Sequence, residues 1–211
     1  MLCTRPDVCL AISLAGRYQS NPGVDHWTTV KNILKYLKMT KDMFLVYGGD
    51  KELIVNGYVN ASFDTDPDDS KSQTGYILNG GAVSWCSSKH RVVAGSTCEV
   101  EYVAASEAEN EGVGMKEFIS VLGVIPSASG PMKIFCDNIG AIALAKESKF
   151  HKRTKHIKRR FNSVRGQVKE GDIEICKIHM DMNVADPLTK PLSRAKHDQY
   201  QDIMGVRIIT V

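Results

Sequence analysis

Three carboxylates in this chain stand where secondary structure would present them together: Glu101 in "STCEVEY", Asp137 in "KIFCDN" and Asp186 in "NVADPLTKPL". Each lies at a predicted element end, and a carboxylate desolvated there is costly without a cation or donors. A divalent ion resolves that cost. Mg²⁺ takes a few carboxylates plus water and substrate phosphate oxygens, and two such ions about 3.5 to 4 Å apart clamp an in-line phosphoryl displacement. Taken singly, the acids read as caps or surface charges: Glu101 suits the positive end of a helix dipole, and Asp137 caps the helix after it. Taken together, at the ends of successive elements of one sheet, they favour the metal. A fourth position, Asn60, closes the strand-like run "ELIVNGYVN" just before the acid-rich "SFDTDPDD". The stretch reads either as a metal site lacking one ligand or as a strand leading into an acidic loop.

The elements that must position these residues follow from periodicity and punctuation. "TRPDVCLAISLAGRYQ" and "VDHWTTVKNILKYLK" predict two helices separated by the stop signal "SNPG", with Val30, Ile33, Leu34 and Leu37 as the apolar stripe of the second. "MFLVYGG" predicts a short strand. From Leu53 the texture turns β-rich, with "LIVNGYVN" followed by "TGYILNGGAVSWCSS", in which Asn79-Gly80-Gly81 marks a hairpin. Ser96-x-x-Glu99 has the capping-box pattern and opens a long amphipathic helix with apolar positions at Val100, Val103, Ala104, Ala108, Met115, Phe118, Ile119 and Leu122. "PMKIFCD" predicts a buried strand ending at Asp137, then a short helix. "HKRTKHIKRRFNSVRGQVKEG" predicts another helix stopped at Gly171, "DIEICKIH" a further strand, and Asp186 the start of a helix cut short by prolines. The order βββαβαβα predicts a mixed α/β sheet whose later strands run parallel through helical crossovers.

A chain of 211 residues with 43% hydrophobic content can bury a proper core, as one large domain or a domain with an appendage. The apolar runs are too short to span a bilayer and no signal-peptide core follows Met1, so an intracellular protein without a membrane partner is expected. Six cysteines (Cys3, Cys9, Cys86, Cys98, Cys136 and Cys176) lack paired spacing and read as reduced thiols. The net charge of +3 is segregated, with acids concentrated in 64–69 and 99–111 and bases in 149–160. In "HKRTKHIKRR", Lys152, Arg153, Lys155, His156 and Arg159 form either a solvated face or a phosphate-contacting one, and an adjacent acidic metal site favours the second. Such a surface reads backbone and shape rather than base sequence. His151, His156, Cys176 and His179 suggest zinc only weakly: their spacing is irregular, and strand alternation sends Cys176 and His179 to opposite faces.

The motifs "TRPDV", "RYQSNPG", "VKNILKYLK", "GYVNASF", "SWCSSK", "STCEVEY", "IFCDNIGAIALAK", "HKRTKHI" and "VADPLTKPL", in this order over nearly the whole chain, resemble the C-terminal part of a Ty1/copia-type LTR retrotransposon Pol polyprotein. The resemblance implies the end of a reverse transcriptase over 1–48, a ribonuclease H-like domain over 49–192 and a C-terminal helix or tail over 193–211. It implies a five-stranded mixed sheet flanked by helices and preceded by a small helical segment. The implied activity is cleavage of the RNA strand of an RNA–DNA hybrid with two Mg²⁺ or Mn²⁺ ions, held by catalytic residues at Asn60, Glu101, Asp137 and Asp186. The implied partners are the hybrid and the reverse transcriptase part of the same polyprotein, in the cytoplasm (a virus-like particle) or the nucleus.

The chain departs from the family at Asn60, where similar members read like "GYTDASF". An amide keeps a carbonyl oxygen for a metal but brings no charge. A loss of about 3 kcal/mol in transition-state stabilisation slows a reaction on the order of a hundredfold, so impaired cleavage is expected. Asp64 and Asp66 follow Asn60 closely but belong to the loop beyond it, which makes them poor replacements. Gly112 and Gly114 stand where the family tends to have Ala and Trp, each glycine costing about 1 kcal/mol in a helix interior. The chain begins just before "TRPD", without the polymerase acids expected upstream, as in a truncated or decayed copy. Three functions are therefore in play: a metal-dependent ribonuclease H domain, a catalytically dead module of the same fold that binds nucleic acid or supports a polymerase, and a zinc-dependent DNA-binding protein.

Overall fold

The computed structural model describes residues 3–48, 54–62, 71–78, 80–89, 96–123, 130–146 and 158–209. A 3-10 turn at Pro6–Val8 leads into α1 (Cys9–Gly16) and α2 (Val24–Met39), which flank the "SNPG" break, and β1 (Met43–Leu45) follows. Then come β2 (Val55–Ser62), β3 (Lys71–Leu78), β4 (Gly81–Lys89), α3 (Thr97–Leu122), β5 (Met132–Cys136), α4 (Ile139–Lys146), α5 (Lys158–Glu170) and β6 (Ile173–Lys177). A second 3-10 turn at Met180–Met182, α6 (Asp186–Thr189), α7 (Arg194–Ile203) and β7 (Val206–Ile208) complete the described chain.

The main sheet has the order β4-β3-β2-β5-β6, antiparallel from β4 to β2 and parallel from β2 through β6. The mixed α/β architecture expected from the sequence is thus observed. Gly80 turns the hairpin with φ +74, a conformation that glycine adopts without a Cβ clash. The crossovers through α3 and through α4–α5 return the chain to the same end of the sheet, which makes β2, β5 and β6 parallel. Their carboxyl ends therefore share one edge.

Alternation along β2 divides its side chains between two cores. Val59, with Ile134 and Cys136 of β5 and Ile175 of β6, meets Tyr102, Val103, Ala105 and Ala108 of α3 and Val164 of α5. Small alanines on α3 let the helix lie close to the strands. On the opposite face Tyr58, Ile77 and Trp85 meet Val184, Tyr200, Met204 and Leu45. Ser96 caps α3 as the sequence predicts, its hydroxyl accepting the Glu99 N–H at 3.3 Å. The far end differs from the expected stripe, because Phe118 and Leu122 are exposed while Ile119 is buried. A helix of 26 residues runs ~39 Å, past even the nine-residue β4 at roughly 30 Å and far past the five-residue β5 and β6 at about 17 Å.

The apolar stripe of α2 is likewise not core: no residue of the helix is buried, and its Val30, Ile33 and Leu34 line an open groove against α1. The chain's two ends meet instead through β1, which pairs antiparallel with β7. Tyr47 donates to the Ala82 carbonyl at 2.7 Å, and the Ala82 N–H donates to Met204 at 2.9 Å, fastening both ends to β4. Gly205, at φ +82, lies so close to Gly80 and Val46 that an added Cβ would stand 2.7 Å from either carbonyl oxygen. Beneath this patch Asp7 accepts two bonds from Arg5, at 2.9 and 2.7 Å, one from Tyr36 at 2.7 Å and one from Gln201 at 3.0 Å. Among the described residues no helix is long and apolar enough to cross a membrane.

Candidate active site

Asn60 lies on β2, two residues before its last residue, Ser62, rather than at the strand's end as the sequence suggested. The ladder continues because Ala61 and Ser62 pair with Ser72 and Lys71 of β3. The Asn60 side chain is buried and its amide donates to one carboxylate oxygen of Asp186 and, at 3.2 Å, to the Thr189 hydroxyl. The next residue supplies the neighbouring contact, the Ala61 N–H donating to Glu101 Oε1 at 3.0 Å. Glu101 reaches this point from the second turn of α3, and Asp137 stands one residue past β5. Ligand-capable atoms of Glu101, Asp137 and Cys136 lie within 4.8 Å of one another, the one such group among the described residues.

Electrostatics couple the three acids, and a hydrogen bond joins Asn60 to Asp186. Burial pushes the Glu101 carboxyl up to about 8; the Asp137 and Asp186 charges add to the rise, and the Ala61 N–H and Lys190 oppose it. Asp186 is also raised, first by burial and further by Asp137, although Lys190 pairs with its second oxygen at 2.9 Å. The Cys136 thiol is pushed up to about 12 by burial and by Glu101, so it stays protonated, facing Glu101 Oε2 at 4.0 Å. Burial and mutual repulsion thus both disfavour ionisation of Glu101 and Asp186.

Several participants were not legible in advance. Asn183, fully buried, donates to the Val59 carbonyl at 2.8 Å and accepts the Ala185 N–H at 3.2 Å, tying the turn before α6 to β2 one residue from Asn60. Thr189 donates to the Asp186 carbonyl at 2.8 Å while accepting from Asn60. Lys177 donates to the Asp137 backbone carbonyl. The sequence signal for the turn was Asn183 itself, whose side chain can accept the N–H two residues on, here that of Ala185, and so close a local turn ahead of Asp186.

Lys152, Arg153, Lys155 and His156 lie outside the described residues, as do Asp64, Asp66 and His151. Arg159 falls on α5, with its side chain outside them. Cys176 lies on β6 and donates weakly to the Glu174 carbonyl, while His179 is exposed and accepts the Asp181 N–H. Among the described residues neither belongs to a ligand cluster.

The chain is 39% identical over 208 residues to the retrovirus-related Pol polyprotein from transposon TNT 1-94 of Nicotiana tabacum, covering 98% of this chain and 15% of that protein. With the corresponding polyproteins from transposons RE2 and RE1 of Arabidopsis thaliana it shares 34% and 32% identity over 205 residues, 96% of this chain and 14% of each relative. The chain belongs to the Pol polyproteins of Ty1/copia-type transposons. No protein-family model matches it. This Pol-family chain spans about 15% or less of the length of these three relatives, and its candidate site lies within the matched stretch, which takes in nearly all of the sequence.

Proposed function

We propose that this Pol-family chain carries a ribonuclease H-type site that cleaves the RNA strand of an RNA–DNA hybrid, slowed by the amide at position 60. The observation that carries the reading is the convergence of Asn60, Glu101, Asp137 and Asp186 at the shared carboxyl edge of β2 and β5. A five-stranded mixed sheet with helices on its faces agrees with the ribonuclease H-like fold that the sequence resemblance implies.

The donor set at Glu101 and Asp137 fits a hard divalent ion such as Mg²⁺ or Mn²⁺, because both offer carboxylate oxygens, and Glu101, held well above the usual carboxylate range by burial and then by the Asp137 and Asp186 charges, would be eased by a cation. When bound, such an ion supplies Lewis-acid stabilisation of charge on the phosphoryl oxygens. Two ions are the family expectation, with Asn60 and Asp186 as the remaining ligands. The chain's own residues do the positioning: Asn183 fixes the backbone before α6, and Thr189 and Lys190 hold Asp186. Lys152, Arg153, Lys155, His156 and Arg159 would meet the hybrid's phosphates, giving salt-dependent and sequence-tolerant binding. The apolar groove of α1 and α2, lined by Ile12, Tyr18, Trp27, Val30 and Leu34, supports contact with the reverse transcriptase part of the polyprotein.

The test is cleavage of a labelled hybrid with Mg²⁺ or Mn²⁺ by the chain and by Asn60→Asp. The expected result is weak cleavage that rises on the order of a hundredfold in Asn60→Asp, the factor that about 3 kcal/mol represents. A folded Asn60→Asp chain that binds hybrid without cutting it would instead favour a catalytically dead module. That second reading has its own support, since both Asp186 oxygens are already engaged by Asn60 and Lys190.

A further inference from the structure

We infer that the Asn60 carboxamide takes the place of one cation, so that the site assembles without metal and offers a divalent ion a single position, on Glu101 and Asp137, instead of two. The inference rests on the metal-dependent reading above and specifies which half of that site still takes an ion.

Asn60 and Asp186 are both buried, at 7% and 5% exposure, and face each other across the gap between β2 and α6. Two carboxylates in that relation would repel in a poorly solvated place unless an ion lay between them. The amide removes the conflict from within. One Nδ2 contact satisfies Asp186 Oδ1, and the other engages Thr189, whose hydroxyl donates in turn to the Asp186 carbonyl. Lys190 takes Asp186 Oδ2 at 2.9 Å. Both oxygens of Asp186 thus have protein donors, and an ion arriving there would have to displace an amide and an ammonium group without gaining a second charge.

Glu101 and Asp137 stand differently. Glu101 accepts one backbone N–H and faces a weakly donating thiol, and among the described residues no basic side chain forms an ion pair with it. The charges acting on it are those of Asp137 and Asp186, with Lys190 opposing them. Among the described residues no basic side chain pairs with either carboxyl group on the β5 side, where Lys177 meets only the Asp137 backbone carbonyl, while on the α6 side both Asp186 oxygens have donors within the chain.

The experiment is Mn²⁺ titration of the whole chain by calorimetry and by electron paramagnetic resonance, with thermal melting in EDTA and in Mn²⁺. The chain is expected to bind one Mn²⁺ and to keep most of its melting temperature in EDTA. Asn60→Asp is expected to bind two, to melt lower in EDTA than the parent and to recover when Mn²⁺ is added. Asn60→Ala, which removes the donors without adding a charge, is expected to bind one ion and melt lower than the parent in EDTA. Two ions in the parent, or an Asn60→Asp chain as stable in EDTA as the parent, would overturn the inference. If Asn60→Asp does not fold even with Mn²⁺, the Asn60→Ala melt decides: no loss in EDTA would overturn it. Absence of Mn²⁺ binding by both the parent and a folded Asn60→Asp chain would overturn the metal-dependent reading itself.

Discussion

Asn183 is fully buried and serves two backbone partners that lie far apart in sequence, the Val59 carbonyl and the Ala185 N–H. Removing it leaves a buried acceptor on the central strand and a buried donor in the turn, at a cost of about 2 to 3 kcal/mol. Asn183→Ala should lower the urea midpoint without changing the denaturant slope, and should weaken Mn²⁺ binding less than Asp137→Asn does, because it shifts Asp186 rather than Glu101. The three acids were legible because each sits at an element end where a bare charge is unfavourable. Asn183, Thr189 and Lys190 were not, because their partners on β2 lie 124 and more residues away or depend on the exact turn of α6.

At the level of elements, the sequence located nearly every helix and strand, and its errors came from partners it could not show. β2 runs on to Ser62 because β3 is there to pair with it, whereas the local change to polar residues suggested a stop at Asn60. The stripe on α3 was drawn through Phe118 and Leu122 because periodicity does not reveal where the underlying sheet ends. Two glycines expose a simpler weakness. Gly114 on α3 and Gly166 on α5 have nothing beyond their own stretch of helix within 4 Å of where a Cβ would be, so alanine at either is free of clash. Gly114→Ala and Gly166→Ala should each stabilise the chain by roughly 0.5 to 1 kcal/mol, seen as an upward shift in thermal midpoint.

Across the whole molecule, Asp7 joins the two ends of the chain. Burial by itself would raise its pKa, but hydrogen bonds from Arg5 and Tyr36 and the Arg5 charge outweigh burial and hold it below the ordinary carboxylate value. A carboxyl lowered in the folded state contributes stability that is present above its unfolded value, near 3.9, and is lost as pH falls through the folded one. Acid should therefore weaken the chain below about pH 4 in part through this residue. Asp7→Asn should be less stable at pH 7 and show a shallower decline into acid, measured by urea denaturation at pH 7 and pH 3. None of this was visible in the sequence, where Arg5-Pro6-Asp7 reads as a helix start and its partners Tyr36 and Gln201 are 29 and 194 residues away from Asp7.

The pairing of β1 with β7 has a genetic consequence. The residues that complete this two-stranded sheet, Val206 to Ile208, are encoded downstream of every candidate ligand, yet they hold Met43 to Leu45 and, through Gly205, the Val46 N–H. A stop codon or frameshift after Met204 would leave the codons of all four candidate ligands intact and still unfasten the amino-terminal segment from the sheet. For a chain of this family, the integrity of the reading frame beyond Met204 bears on the fold as directly as the codon for Asn60 bears on the chemistry.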